Sequence, residues 1–478
     1  MIRTRFAPSP TGFMHIGNLR TALYAYLIAK HNEGVFLLRI EDTDQARLVE
    51  GSTDFIYKTL EQTGITYDEG PTKDGGFGPY IQSKRLNIYK EKALELVKLG
   101  GAYFCFCEKV EDKEDISEKK PFRCECSKLH SSEIEEKIKK PHAIRQIIPS
   151  GKTTFVDSIY GEITVDNEEI ENQVLLKADG YPTYNFANVI DDNLMKITHV
   201  IRGSEYLSSA PKYNLLYKSF GWDIPTYIHL PLIVGSDKAK LSKRNGDANF
   251  SDLIEEGYLA EAIINYIAML GWSPSKIEGE NQEIFSLQEL IKIFDIRNIG
   301  KSPAVFDKTK LTWFNAQYLQ KIELEDFYKL ALPYLQKSIT RDIDLRKIAV
   351  FLQSRVNFMK DISELVTFVD DLPYYDIELY NHKKMKTNST NSLNTLTSIL
   401  PYLENTEDFS HENLNFIIKD TIERLGVKNG VVLWPIRTAI TGTPTSFCGA
   451  VELLELFGKE ECLRRIQIGI DKLKSSME

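Results

Sequence analysis

The sequence lacks any apolar run long enough to span a bilayer: the longest hydrophobic helical stretch, Ala262 to Trp272, falls short of the roughly 20 residues required. No apolar segment follows a basic start near Met1, so a secreted protein is not expected. Internal repeats and long low-complexity tracts are also missing, which sets aside solenoid arrays. Positive charge is not in excess, since 59 Lys and Arg stand against 68 Asp and Glu for a net charge of −9. The total therefore does not advertise a polyanionic partner, although local basic surface can still bind nucleic acid. Cysteine is scarce, six residues in 478, and four of them (Cys105, Cys107, Cys124 and Cys126) share one short window. In a cytosolic chain such clustering points to metal rather than to disulfides. The distant Cys448 and Cys462 read as packing residues.

What is present is ordinary for soluble globular protein: 42% hydrophobic and 27% charged residues in a chain too long for one core. Three or more domains and a cytoplasmic location are expected. Arg3 to Ala7 reads as a strand, followed by a Pro/Gly turn and a helix from about Asn18. That helix has Leu19, Ala22, Leu23, Tyr26 and Leu27 on its apolar side. Val35 to Ile40 reads as a compact strand, and Phe55 to Leu60 and Leu86 to Leu99 as helices. This alternation implies a parallel α/β sheet. From Gly101 to about Thr183 the character changes, as an insertion would, with short strands in "TTFVDSIYGEITV". After "LSKRNGD" the pattern becomes helical and stays so, ending in an amphipathic helix carrying Leu463, Ile466, Ile470 and Leu473.

Three segments carry candidate chemistry. "FAPSPTGFMHIGNLR" places a rigid turn, His15 and Gly17 directly before a helix. A helix start offers N–H groups and partial positive charge to phosphate, Gly17 permits close approach of a flat ligand, and His15 can donate to phosphate oxygens. Far downstream, "KAKLSKRNGD" gathers Lys238, Lys240, Lys243 and Arg244 beside Asn and Gly. Such a loop can close over a triphosphate and neutralise charge as pyrophosphate leaves. Alone, the first segment could equally be a capped structural turn and the second a solvated basic loop. The third is "FCFC" with "CEC": thiols at i, i+2 share one face of a strand, and two such strands can aim four thiolates at one tetrahedral zinc.

"HIGN" paired with "KLSKR" resembles the ATP-site motifs of class I aminoacyl-tRNA synthetases. "RFAPSPTG", "RIEDTD", "GPYIQS", "YPTYNFANVIDD", "VIRGSEYL" and "HLPLI" resemble the bacterial glutamyl-tRNA synthetase family in particular, in the expected order over roughly the first 320 residues. The remainder is a looser helical match with "LWPIRTAITG" its best fragment. The resemblance implies a Rossmann-like α/β catalytic domain split between 1–100 and 184–250. It further implies an inserted α+β acceptor-end domain at 101–183, a helical stem-contact domain at 251–322 and an all-α anticodon-binding region at 323–478. The implied reaction is ATP-dependent ligation of L-glutamate to tRNA(Glu) through glutamyl-adenylate.

For ATP with Mg²⁺ the resemblance implies His15, Gly17, Asn18, Leu232, Ile233, Lys240 and Lys243, of which His15, Lys240 and Lys243 would be catalytic. For glutamate it implies Arg5, Ser9, Glu41, Tyr184, Asn188 and Arg202. Charge logic gives Glu41 and Ser9 to the ammonium and the planar guanidiniums of Arg5 and Arg202 to carboxylates. Glutaminyl-tRNA synthetase carries a neutral residue where Arg202 stands, which argues for glutamate. Zinc on Cys105, Cys107, Cys124 and Cys126 fits the same family, as a structural ion. A monomer with no membrane partner is implied. Charging of tRNA(Gln) as well, and a non-enzymatic tRNA-binding descendant, are the alternatives. The helical tail counts against the short paralogue that modifies an anticodon base.

Overall fold

The computed structural model describes every residue except 13, 108–120, 122, 236–248, 275–281 and 478. The chain divides into two compact units, Met1–Leu311 and Thr312–Glu478.

In the first unit, strand β1 (Arg3–Phe6) is followed by helix α1 (Ile16–His31) and strand β2 (Val35–Leu38), which pairs with β1 in parallel with Arg5 opposite Leu37. Helices α2 (Ser52–Gln62) and α3 (Leu86–Lys98) follow. Next come β3 (Ala102–Cys105), α4 (Ser131–Lys137), β4 (Ala143–Gln146), the hairpin β5 (Lys152–Asp157) and β6 (Gly161–Asp166), and β7 (Val174–Leu176). Then α5 (Tyr184–Leu194), β8 (His199–Gly203), α6 (Ala210–Phe220) and β9 (Thr226–Leu230) complete the alternation. The unit continues through β10 (Ile233–Val234), α7 (Phe250–Glu256), α8 (Ala260–Ala268), α9 (Leu287–Ile293) and β11 (Ala304–Val305).

Strands β8 and β9 pair in parallel, with Arg202 opposite His229. Strand β1 runs beside β8 in the same direction: Thr198 N–H donates to the Arg3 carbonyl at 3.0 Å, and Arg5 Nη1 donates to the Ile201 carbonyl at 3.2 Å. The carboxyl ends of β1, β2, β8 and β9 therefore open on the same side, where ligands bind in open α/β sheets. Strands β3, β4 and β7 form a separate antiparallel sheet. The β5–β6 hairpin leaves that small sheet and joins β9 through the pair Asp157–Tyr227.

Helix α1 is buried on more faces than its sequence stripe implies, with Tyr24, Ala25, Ile28 and Ala29 inside as well. The reason is a second cover. Tyr24 donates its hydroxyl to the carbonyls of Ala268 and Leu270, and His31 Nδ1 lies 2.8 Å from the Ile291 carbonyl. The chain around α8 and α9 thus closes the side of α1 away from the sheet. Helix α5 follows the extended Pro182–Thr183 pair, because a residue's αR conformation is disfavoured before proline and the helix must start after it. Phe186, Val189 and Ile190 of α5 join Leu96, Val200 and Leu216 in one core, each worth about 1.5–3 kcal/mol on burial.

Helix α10 (Lys308–Lys321) spans the boundary in sequence. The second unit is helical as expected: α11 (Leu324–Ser338), α12 (Leu345–Leu352), α13 (Ile362–Leu365), α14 (Ser389–Asn405), α15 (His411–Leu425), α16 (Asn429–Thr441) and α17 (Ala450–Ser475). Gly469 lets α17 approach its neighbours, since a Cβ there would lie 2.5 Å from the Tyr380 hydroxyl and 3.2 Å from Ala439. The buried guanidinium of Arg465 joins three segments, donating to the carbonyls of Phe368 and Ile440 at 2.8 and 2.7 Å and to Glu461 at 2.6 Å. Cys448 and Cys462 are buried and unpaired, in keeping with packing roles. No helix among the described residues is long and apolar enough to cross a membrane.

Candidate active site

A cavity of about 470 Å³ opens at the shared carboxyl ends of the strands. Its wall includes Arg5 on β1 and Ser9 after it, Glu41 after β2, Arg202 on β8, Leu232 and Ile233 after β9, and His15, Gly17 and Asn18 at the start of α1. Tyr184, the first residue of α5, lies at its edge. Both groups of residues singled out in the sequence thus face one space. Asn188 does not line it; buried one turn along α5, its amide donates to the Tyr184 carbonyl at 2.9 Å. Lys240 and Lys243 lie outside the described residues.

The His15 ring caps α1. Its Nδ1 accepts the N–H groups of Gly17 at 3.0 Å and Asn18 at 3.4 Å. Two N–H groups of the helix end are therefore occupied by the ring, the capped turn that the sequence left open beside a phosphate-binding one. With Nδ1 accepting, the neutral imidazole carries its proton on Nε2. Gly17 makes that fold-back feasible: a Cβ there would stand 2.8 Å from His15 Cε1 and 3.0 Å from Nδ1.

Beneath the cavity lies a charged layer. Arg39, fully buried, donates to Glu41 Oε1 from Nη2 at 2.8 Å and from Nε at 3.2 Å, and to Asp192 Oδ1 from Nη1 at 2.9 Å. Asp192 Oδ1 also accepts from Arg5 Nε at 2.9 Å, and its Oδ2 stands 4.0 Å from Arg202 Nη2. The neighbouring Asp191 is fully engaged by Arg85 at 2.7 Å, Gln82 at 2.9 Å and the Tyr89 hydroxyl at 2.7 Å. Arg202 also lies over the ring of Tyr213, 4.8 Å from its centroid.

Among the described residues, Glu41 Oε2 and Nε and Nη1 of Arg202, all on side chains of the cavity wall, have no hydrogen-bond partner, and neither does Asp192 Oδ2 in the layer beneath. A buried polar atom left unpaired costs about 1–3 kcal/mol, more when charged, so those on the wall mark where a ligand's charges belong. The free carboxylate oxygen suits a cation and the two guanidinium N–H groups suit an anion. Burial raises the Glu41 carboxyl above its ordinary value, against the pull of Arg39. Burial works the same way on Asp192, but Arg5 and Arg39 outweigh it and hold that carboxyl below the usual range. Arg202 stays a cation: burial lowers its value, and Tyr184, Tyr213 and Asp192 raise it further than burial lowers it.

Arg39, Asp191 and Asp192 were not singled out, although "RIEDTD" and "VIDD" contain them. The available signal was two consecutive acids closing the apolar helical run "FANVI". Acids on a buried helix need cations across the fold, and sequence spacing does not reveal which.

The cysteine window forms a second site. The sulfurs of Cys105, Cys107, Cys124 and Cys126 lie within 4.8 Å of one another. Separations are 3.5 Å for Cys105–Cys124, 3.1 Å for Cys107–Cys124 and 3.8 Å for Cys107–Cys126. These exceed a disulfide bond and approach the ~3.8 Å between thiolates around a tetrahedral zinc. The four residues can therefore hold a metal ion. His130, nearby in sequence, precedes α4, its N–H donating to Glu133 at 3.0 Å.

The family described as tRNA synthetases class I (E and Q), catalytic domain, matches residues 1–313, and the anticodon binding domain matches residues 326–470. The chain is 56% identical to the glutamate–tRNA ligase of Clostridium novyi, covering 100% of this chain and 99% of that one. Identity is also 56% to the glutamate–tRNA ligase of Clostridium acetobutylicum, covering 99% of each. A crystal structure of a glutamate tRNA ligase from Elizabethkingia meningosepticum, in complex with its amino acid, superposes with a TM-score of 0.85 at 37% identity over 99% of both chains. The glutamate-tRNA synthetase of Elizabethkingia anophelis gives a TM-score of 0.83 at 36% identity, covering 98% of this chain and 99% of the other. With a class I catalytic domain over the first two thirds of the chain and an anticodon-binding domain after it, the chain belongs to the glutamate–tRNA ligase family of class I aminoacyl-tRNA synthetases.

Proposed function

We propose that the protein joins L-glutamate to the 3′ end of tRNA(Glu) in two steps, forming glutamyl-adenylate and pyrophosphate from ATP and then releasing AMP on transfer. The observation that carries this is the complementary pair of open valences in one cavity, Glu41 Oε2 and the free N–H groups of Arg202. Glu41, with Ser9, takes the ammonium. Arg202 and Arg5 take carboxylates, and Tyr184 with Asn188 behind it shapes the polar wall.

ATP with Mg²⁺ occupies the part of the cavity bounded by His15, Gly17, Asn18, Leu232 and Ile233. His15 donates from Nε2 to a phosphate oxygen, while its Nδ1 caps the helix. Lys240 and Lys243 neutralise the leaving pyrophosphate. Catalysis here is positioning and charge stabilisation: the substrate carboxylate attacks the α-phosphorus, and the P–O bond to pyrophosphate breaks. The four-cysteine site holds structural zinc and orders the segment that grips the acceptor end. The unit beyond residue 323 reads the anticodon.

The test is aminoacylation of purified tRNA(Glu) and tRNA(Gln) with labelled glutamate and labelled glutamine. Glutamate on tRNA(Glu) is expected, and glutamate on both tRNAs would define a relaxed enzyme. Transfer of glutamine in preference to glutamate would overturn the reading.

A further inference from the structure

Asp192 is buried and does not line the cavity, yet two cavity residues, Arg5 and Arg202, and the buried Arg39 converge on it. Its Oδ1 accepts from Arg5 Nε and from Arg39 Nη1, each at 2.9 Å. Arg39 in turn fixes Glu41 by holding Oε1, which leaves Oε2 for a ligand. The other oxygen, Oδ2, has no hydrogen-bond partner and faces Arg202 Nη2 across 4.0 Å. That separation attracts the guanidinium without consuming it, so Nε and Nη1 of Arg202 stay open. A closer Asp192 would form a bidentate pair with Arg202 and turn its N–H groups away from the cavity.

The same cluster has a definite charge. Four guanidiniums, of Arg5, Arg39, Arg85 and Arg202, are connected to three carboxylates, of Glu41, Asp191 and Asp192. Among the described residues of this cluster, one positive charge is left over. Arg20 and Glu205, also in the cavity wall, offset each other.

We propose that Asp192, acting with Arg39, is a positioning and specificity residue: it sets the orientation of Arg5, Arg202 and Glu41 and limits the buried surplus to a single positive charge. This rests on the reading of the cavity as a glutamate site. Glutamate, with two carboxylates and one ammonium, brings one net negative charge and closes the balance. Glutamine brings none and leaves a buried cation uncompensated, which low-dielectric surroundings penalise heavily. Discrimination then comes from the whole cluster and not from Arg202 alone.

The test compares wild type, Asp192→Asn and Asp192→Glu in the full-length chain. Glutamate- and glutamine-dependent ATP–pyrophosphate exchange is measured in the presence of tRNA(Glu). Asn keeps the shape and an acceptor for Arg5 but removes the charge. The KM for glutamate is expected to rise at least about tenfold, with the KM for ATP changed by less than about twofold. The preference for glutamate over glutamine falls with it through the lost orientation of Arg5 and Arg202, since the added positive charge by itself favours the anionic substrate. Asp192→Glu, which retains the charge, recovers part of the preference. A lower kcat with unchanged glutamate KM and unchanged preference would assign Asp192 a merely structural role and overturn the proposal. Should Asp192→Asn not fold, Asp192→Glu and Arg39→Lys decide by the same KM and preference criteria. Failure of the wild type to use glutamate at all would instead overturn the functional reading.

Discussion

The imidazole of His15 folds back over Gly17, its Nδ1 accepting the glycine N–H at 3.0 Å. The contact leaves no room for a side chain at position 17, where a Cβ would sit 2.8 Å from the ring. Gly17→Ala should therefore push the ring off the helix end. A misplacement near 1 Å in a reacting group can reduce rate about a hundredfold. We expect adenylate formation to fall by about that much, with a loss of stability near 1 kcal/mol from the broken cap. Pre-steady-state adenylate formation and denaturant unfolding measure the two effects separately.

Glu41 predicts a pH dependence. Burial holds its carboxyl above the ordinary value of 4.5, and only the ionised form can receive an ammonium group. As pH falls through that raised value, kcat/KM for glutamate should drop while ATP affinity holds. Bound glutamate stabilises the carboxylate, so the acid limb of kcat lies at lower pH than that of kcat/KM. Glu41→Gln should remove the limb along with most of the activity. An acid limb unchanged in this variant would assign it to another group.

Arg202→Ala removes two open N–H donors and leaves the free oxygen of Asp192 facing an empty position. Loss of a charged hydrogen-bond partner for substrate should lower kcat/KM for glutamate by roughly a hundredfold or more, leaving the KM for ATP within about threefold. Parallel titration of both substrates in the exchange assay checks this.

The four-cysteine cluster should retain one equivalent of zinc in protein purified without chelator. Cys124→Ser removes the thiolate 3.5 Å from Cys105 and 3.1 Å from Cys107. It should release the metal and destabilise the segment locally, because metal binding energy is folding energy. Elemental analysis and protease sensitivity of residues 101–183 report the outcome, and metal far below one equivalent in the wild type would remove zinc from the account.

In the helical unit, Glu461 accepts from Arg341 at 3.1 Å, Arg464 at 2.7 Å and Arg465 at 2.6 Å. Burial favours its protonated form, but Arg464 and Arg465 outweigh it and bring the carboxyl down to about 2. A depressed carboxyl stabilises the fold above its unfolded value and loses that contribution as pH falls toward the folded one. Glu461→Gln should cost about 2 kcal/mol at neutral pH by taking the carboxylate from Arg465, which keeps its bonds to the Phe368 and Ile440 carbonyls, with the difference from wild type shrinking between pH 4.5 and about 2. Chemical denaturation at pH 7 and pH 3 gives both values.

Much of the architecture was legible because local chemistry punctuates it. The Pro/Gly turn after β1 and the alternation of apolar runs place the elements from β1 to α3 within a few residues. The β5–β6 hairpin shows the limit. Its strands were evident, but nothing within 152–166 says that Asp157 pairs with Tyr227 some 70 residues away. Helix α1 is similar: its periodic stripe identified one buried face, while the cover supplied by α8 and α9 could not be read from α1 itself.

Residue types in order along the chain pointed to a parallel sheet, a histidine directly before a helix start, and four thiols within reach of one ion. Tertiary structure alone decided which valences stay open. Arg39 takes one oxygen of Glu41, Asp192 ties down Arg5 and stands off from Arg202, and His15 caps the helix start. The physical reason is that side-chain identity sets what a group can bond to, but hydrogen bonds and ion pairs are exclusive. Which of them are spent inside the protein, and which remain for a ligand, depends on distances of a few ångströms between residues far apart in the chain.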